Sequence, residues 1–187
     1  GIPAAASVYG FGIEPNIPVV EKHDLALPDF PGGMTAVQIS DLHFKGRSSL
    51  YDRVTKKVNA IEADFIFITG DLVEKQEHLP ECLQWLKTLR CRRQAFFCPG
   101  NWEVWSKTLE NALFDKLDKI GIGSLCNEGL TIPWQSGRFF LAGIDDAFYS
   151  VADPKRALAD QPGDCCTLVI SHAPCVIHRL EKFPKTS

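Results

Sequence analysis

The sequence has no apolar run approaching the ~20 residues that a membrane-spanning helix needs, so no segment of it reads as a span. It has no excess of positive charge either. Its 20 Lys and Arg are outnumbered by 23 Asp and Glu, giving a net charge of −3 and no general attraction to nucleic acid or an anionic membrane. The one basic cluster, Arg90, Arg92 and Arg93, is short and reads as a solvated helix end. There is no C-x-x-C among the seven cysteines, which excludes a zinc knuckle and a thioredoxin-type redox site. Several of the seven lie in apolar runs and read as reduced core thiols; export would permit a disulfide or two. No G-x-S-x-G is present, and the residues after the first strand-like run, Asp41-Leu42-His43-Phe44-Lys45-Gly46, are not G-x-G-x-x-G. A serine-hydrolase elbow and a Rossmann phosphate loop are therefore both excluded.

Methionine is nearly absent: the only one is Met34, and the chain begins at Gly1. Residues 1–13, GIPAAASVYGFGI, carry no charge and include the small-residue run Ala4, Ala5 and Ala6. They read either as the trailing end of a signal peptide or membrane anchor or as a disordered tail; the first favours an exported or membrane-associated location over a cytoplasmic one. Residues 1–33 are accordingly assigned to an N-terminal arm and 34–187 to one domain. A hydrophobic share of 45% over 187 residues suits that division.

From Met34 onward, short apolar runs alternate with amphipathic stretches. Residues 34–40 read as a buried strand. Leu50, Val54, Val58 and Ile61 then recur at helical spacing, with Ser49 and Asp52 as a capping pair. F-I-F-I-T (65–69) and A-F-F-C (95–98) read as strands. Leu79, Cys82, Leu83, Leu86 and Leu89 form one helical stripe, and Leu109, Leu113, Leu117 and Ile120, closed by Gly121, form another. Residues 122–144 read as two or three short strands, partly antiparallel. A short helix near 153–160 leads to the strand T-L-V-I-S (167–171), and a last helix follows Pro174. Residues 14–31 read as an extended arm or edge strand. The alternation predicts an α/β fold with a parallel or mixed sheet covered on both faces.

In such sheets functional groups collect beyond the carboxyl ends of the strands. Four exits each release a residue able to bind a metal: Asp41 and His43, Asp71, Asn101, and His172. Each signal alone is common; all four at successive strand ends, along the same edge of one sheet, predict a metal site. Two cations ~3.5–4 Å apart repel each other and need a bridging anion, which one shared carboxylate supplies.

The order D-x-H, G-D, G-N-x-E, S-H resembles the calcineurin-like metallophosphoesterases, whose pattern is D-x-H, G-D, G-N-H-[ED], H and then G-H-x-H. Leu141-Ala142-Gly143-Ile144-Asp145-Asp146 is also similar to the L-x-G-x-D-D segment of a bacterial subgroup whose members are often exported or membrane-anchored. The resemblance implies an α/β/β/α sandwich of mixed β-sheet layers flanked by helices. It implies two divalent metal ions (Mn, Zn, Fe or Mg) and hydrolysis of phosphate mono- or diesters by a bridging hydroxide. By the same resemblance Asp41 and His43 hold the first metal and Asp71 bridges. Asn101, through its side-chain carbonyl, and His172 hold the second, with Asn101 also facing the substrate phosphate. The substrate is expected to be lipid- or nucleotide-linked, with specificity in loops 44–50, 72–78 and 144–153.

Two departures qualify the resemblance. Trp102 stands where the family keeps the histidine that contacts phosphate and helps protonate the leaving oxygen; an indole N–H donates a hydrogen bond but exchanges no proton near neutral pH. Trp102 therefore implies a good leaving group, another acid, slow turnover or simple packing, with Glu103 supporting the loop. No G-H-x-H occurs, and His178, six residues after His172, points away on a helix. The expectation is a domain incomplete at its C-terminus, with an incomplete site. The rival reading is a metal- or phosphate-binding module without turnover.

Overall fold

The computed structural model of the protein describes residues 18–109, 112–148 and 152–180. Two sheets form the interior. The first joins β1 (Ala36–Ile39), β2 (Phe65–Thr69), β3 (Gln94–Cys98) and β4 (Ile122–Ser124), all parallel and in chain order. The second joins β5 (Glu128–Trp134), β6 (Gly137–Ile144) and β7 (Cys166–Ser171); β5 runs antiparallel to β6, and β7 parallel to it. Helices α1 (Ser49–Ile61), α2 (Leu79–Leu86) and α4 (Leu113–Asp118) accompany the first sheet. The single-turn helices α3 (Trp102–Trp105) and α5 (Pro154–Ala157) lie in the connections, and α6 (Ile177–Leu180) follows β7.

The period of two in the strand sequences builds the layers. In β2, Phe65 and Phe67 point to the second sheet while Ile66 and Ile68 point to the helices; in β3, Phe96 and Cys98 face one way and Phe97 the other. Phe139 and Leu141 of β6 meet the first sheet, and Phe140, Ala142 and Ile144 bury against Ala152, Ala157 and Val176 on the outer side. The result is helix, sheet, sheet, helix, with three apolar layers between. Trp85 is the largest fully buried side chain, and its indole N–H donates to Thr55 Oγ1 at 2.9 Å, tying α2 to α1.

Several expectations need correction. The run at 34–40 is an edge strand rather than a buried one: β1 pairs on one side, and of its residues only Ile39 is buried. The four strands expected to carry metal ligands do not share one sheet, because β7 belongs to the second. Ser49 and Asp52 do not cap α1; Ser48 occupies the N-cap without a side-chain bond, and Asp52 instead pairs with Arg47 at 3.3 Å. Leu89 lies beyond α2, and Leu109 lies outside α4. Arg90, Arg92 and Arg93 lie in the α2–β3 connection, where Arg92 pairs with Glu62 at 3.0 Å and Arg93 sits over the Trp134 ring. Residues 18–31 form no strand, although Phe30 packs on Phe139. Residues 1–13 and Glu181 to Ser187 lie outside the described residues.

The seven cysteines are free. Burial pushes the Cys82 thiol up to about 12 from an ordinary value of 9.0, and Cys98 is pushed up as well. Both should resist iodoacetamide at pH 8, while the half-buried Cys91 and Cys175 react; peptide mass mapping before and after denaturation checks this. The unfolded chain releases these protons from about pH 8.5, the folded chain only much later. The stability they contribute is therefore present below that value and is lost as pH climbs toward 12.

Candidate metal centre

The exits of β1 and β2 stay zipped together past the strands. His43 N donates to Asp71 O at 2.9 Å, Phe44 N to Leu72 O at 2.9 Å, and Glu74 N to Phe44 O at 3.1 Å. Each exit loop turns through left-handed backbone at its functional residue: φ is +53° at Asp41, +38° at His43 and +57° at Asp71. Non-glycine residues pay roughly 1–3 kcal/mol for such conformations, and Asp, Asn and His tolerate them best. Gly70 (φ +79°) and Gly100 let the second and third loops touch. A Cβ on Gly70 would lie 2.5 Å from Gly100 N, and one on Gly100 would collide with Asp71 Oδ1 and the His172 ring.

All five predicted ligands meet around Asp71, which is 3% exposed. Its Oδ1 accepts from Trp102 N at 2.9 Å. Its Oδ2 lies 3.4 Å from His43 Nε2 and 3.6 Å from His172 Nε2. Asn101 Oδ1 is 3.2 Å from His172 Nε2. One donor atom each of Asp41, His43 and Asp71 lies within 4.8 Å of the others. His172 is delivered by β7, so the cluster assembles across two sheets.

These residues fit divalent cations. His172 Nδ1 lies 2.9 Å from the Thr69 carbonyl, which can only accept, so a neutral ring donates there and turns the lone pair of Nε2 to the cluster. That lone pair faces two further acceptors, Asn101 Oδ1 and Asp71 Oδ2. Three converging acceptors repel unless a cation lies among them. Two donors each ~2.1 Å from a cation at near-tetrahedral angle stand ~3.4 Å apart, the spacing of His43 Nε2 from Asp71 Oδ2.

Glu103, fully enclosed, holds the loops from behind. Its carboxylate accepts from Gly100 N at 2.7 Å, Leu72 N at 2.8 Å and Asp71 N at 2.9 Å. Burial pushes its carboxyl above the usual range, against the pull of those three N–H groups. Trp102 packs its ring edge-on to His43, centroids 4.9 Å apart, and spends its indole N–H on the Glu74 carbonyl at 2.9 Å.

Glu74 was missed by sequence reasoning. Its carboxylate reaches to 3.3 Å from His43 Nδ1, on the far side of the ring from Asp71. Its place three residues after Asp71, in the same exit loop, was the available signal. Carboxylates behind ligand histidines typically matter 10–100-fold in metal affinity. Glu74→Ala should weaken Mn²⁺ binding by about tenfold in titration calorimetry.

An α/β sandwich whose strand exits gather carboxylate, amide and imidazole groups around one buried carboxylate has the architecture of metal-dependent hydrolases. The chain belongs to the calcineurin-like phosphoesterase family, whose model matches residues 34–180. It is 31% identical, over 78% of its length, to a transmembrane protein with metallophosphoesterase domain from Danio rerio, and 27% identical to the Bos taurus protein of that name. It spans only 35% and 40% of those two proteins. It is 23% identical to UDP-2,3-diacylglucosamine pyrophosphatase of Chlamydia trachomatis, over 97% of this chain and 70% of that protein. Among solved structures, phosphopantetheinyl hydrolase from Mycobacterium tuberculosis shares the fold, with a TM-score of 0.51 and 17% identity over 81% of this chain and 73% of that one. No helix among the described residues is long and apolar enough to cross a membrane.

Proposed function

We propose that the chain hydrolyses phosphate mono- or diesters at a two-metal site in which Asp71 is shared. The observation that carries this is one carboxylate oxygen, Asp71 Oδ2, standing between two imidazole nitrogens from different sheets. Asp41 and His43 would hold one cation, Asn101 and His172 the other. Bound divalent metals (Mn, Zn, Fe or Mg) supply an activated water and charge neutralisation for in-line displacement at phosphorus. The protein's own work is placement. Glu103 locks three backbone N–H groups, Thr69 fixes the His172 tautomer, Glu74 orients His43, and Asn101 faces the phosphate. A lipid- or nucleotide-linked substrate and a membrane-associated setting agree with the names of the relatives.

A second reading, a metal- and phosphate-binding module without turnover, is favoured by the absence of a titrating group at Trp102. Elemental analysis and hydrolysis of bis(p-nitrophenyl) phosphate with added Mn²⁺ separate the two. The hydrolase reading expects about two metals per chain and turnover that a chelator abolishes. Two bound metals with no hydrolysis would establish the binding module instead, and no bound metal would sink both.

A further inference from the structure

We propose that the starts of β2, β3 and β4 hold a binding site for a small amphipathic anion, an apolar chain or ring with one negative head. These starts lie at the end of the parallel sheet opposite the Asp71 exit, so the site is separate from the metal centre. It exists because the flanking helices stop early. Helix α2 ends at Leu86 and α4 at Asp118, and neither closes over the strand starts. Leu89 and Ile120, each just past a helix end, stay half-buried as walls. Ile66, Ala95 and Ile122, all on the helix-facing side of their strands, lie between them. The cavity so bounded measures about 420 Å³. Small-molecule sites run from roughly 300 to 1,000 Å³.

Charge selects the occupant. Three exposed cations, Lys87, Arg90 and Arg93, line the cavity, and no residue lining it is acidic. That is a local excess of positive charge in a chain whose net charge is −3. The carboxylates of Glu62 and Asp64 do not cancel it, because Arg92 holds both, at 3.0 and 3.7 Å. Among the described residues neither Lys87 nor Arg90 has an ion-pair partner. Arg93 stands 5.6 Å from the centroid of the Trp134 ring, a contact that leaves its charge in place. A cleft lined by charge of one sign concentrates ligands of the other. A neutral apolar molecule would leave the rim unused, and a cation would meet repulsion. An anion with an apolar body answers both the floor and the rim.

The test titrates the whole chain, labelled at its isoleucine methyl groups, with octanoate, 1-octanol and octylammonium, which share one chain and differ in head charge. Octanoate should shift the Ile120 and Ile122 methyl resonances saturably. Exposed ion pairs are weak singly, but three cations around one carboxylate should favour octanoate over 1-octanol by about tenfold. Octylammonium should bind more weakly than either. The preference should shrink as salt is raised. Lys87→Glu combined with Arg90→Glu, both at exposed side chains, should remove the preference for octanoate and leave 1-octanol binding within about twofold. Unmoved methyl resonances of Ile39, Ile144 and Ile170 would show that this variant keeps the fold. Four results would each overturn the proposal: no saturable shift with octanoate, shifts confined to isoleucines away from the cavity, 1-octanol binding as tightly as octanoate, or octanoate binding that survives the double charge reversal.

Discussion

Asp71→Asn should cost more than about 10²-fold in Mn²⁺ affinity and bring diester hydrolysis to background, while leaving the metal-free chain at least as stable as before. The two expectations have opposite signs for one reason. Changing a carboxylate behind a ligand costs 10–100-fold, so losing the charge of the one oxygen that both imidazoles face must cost more. An amide nevertheless keeps the shape of the side chain, the bond from Trp102 N and tolerance of φ near +57°. It also brings an N–H into a cluster where Asn101 Oδ1, Asp71 Oδ2 and the His172 lone pair now crowd as acceptors. Calorimetric Mn²⁺ titration and a urea melt without metal check both halves. Binding within tenfold of the unsubstituted chain would remove Asp71 from the centre of the site.

The strands were legible where the side-chain period was clean. F-I-F-I-T shows β2 directly, because a strand buried on both faces needs apolar residues at every position. The same rule misled at 34–40, whose composition resembles β2 but whose neighbour lies on one side only; pairing partners are not written in the period of a strand. Assignment of β7 to a second sheet was hidden for the same cause. Its register with β6, from Phe139 opposite Cys166 to Ile144 opposite Ser171, depends on a hairpin and a crossover that only the folded chain displays. The α1 cap failed through a one-residue shift, Ser48 for Ser49, a distinction that adjacent serines cannot signal.

That the five expected positions lie close together was readable because each follows a strand, and in this fold those exits come together. What could not be read is how the loops hold each other. The bond from the Trp102 indole to Glu74 spans 28 residues, and it commits the indole N–H to holding two loops together. Glu74 carries no motif of its own. Its relevance arises because the Phe44–Val73 bridge lays the two exit loops side by side, which puts a carboxylate behind His43.

Glu103→Ala should be the most destabilising single change outside the apolar layers, by about 3–5 kcal/mol, and should lower metal affinity with it. Three buried backbone N–H groups, of Asp71, Leu72 and Gly100, terminate on this one carboxylate. Each donor left without a partner costs roughly 1–3 kcal/mol, and the burial that pushes the carboxyl up keeps water from replacing it. A domain has only about 5–15 kcal/mol to lose, so the variant will stand near the edge of folding. Glu103→Gln should fall between the two. Its carbonyl oxygen can serve the Oε2 side, which takes two N–H groups, while its amide N–H faces that of Leu72 and loses one bond. Urea unfolding with the slope held as a check on cooperativity gives the order wild type, Gln, Ala. If alanine unfolds within 1 kcal/mol of wild type, the G-D and G-N loops are held by something other than this residue, and the pre-set geometry of Asp71 needs another cause.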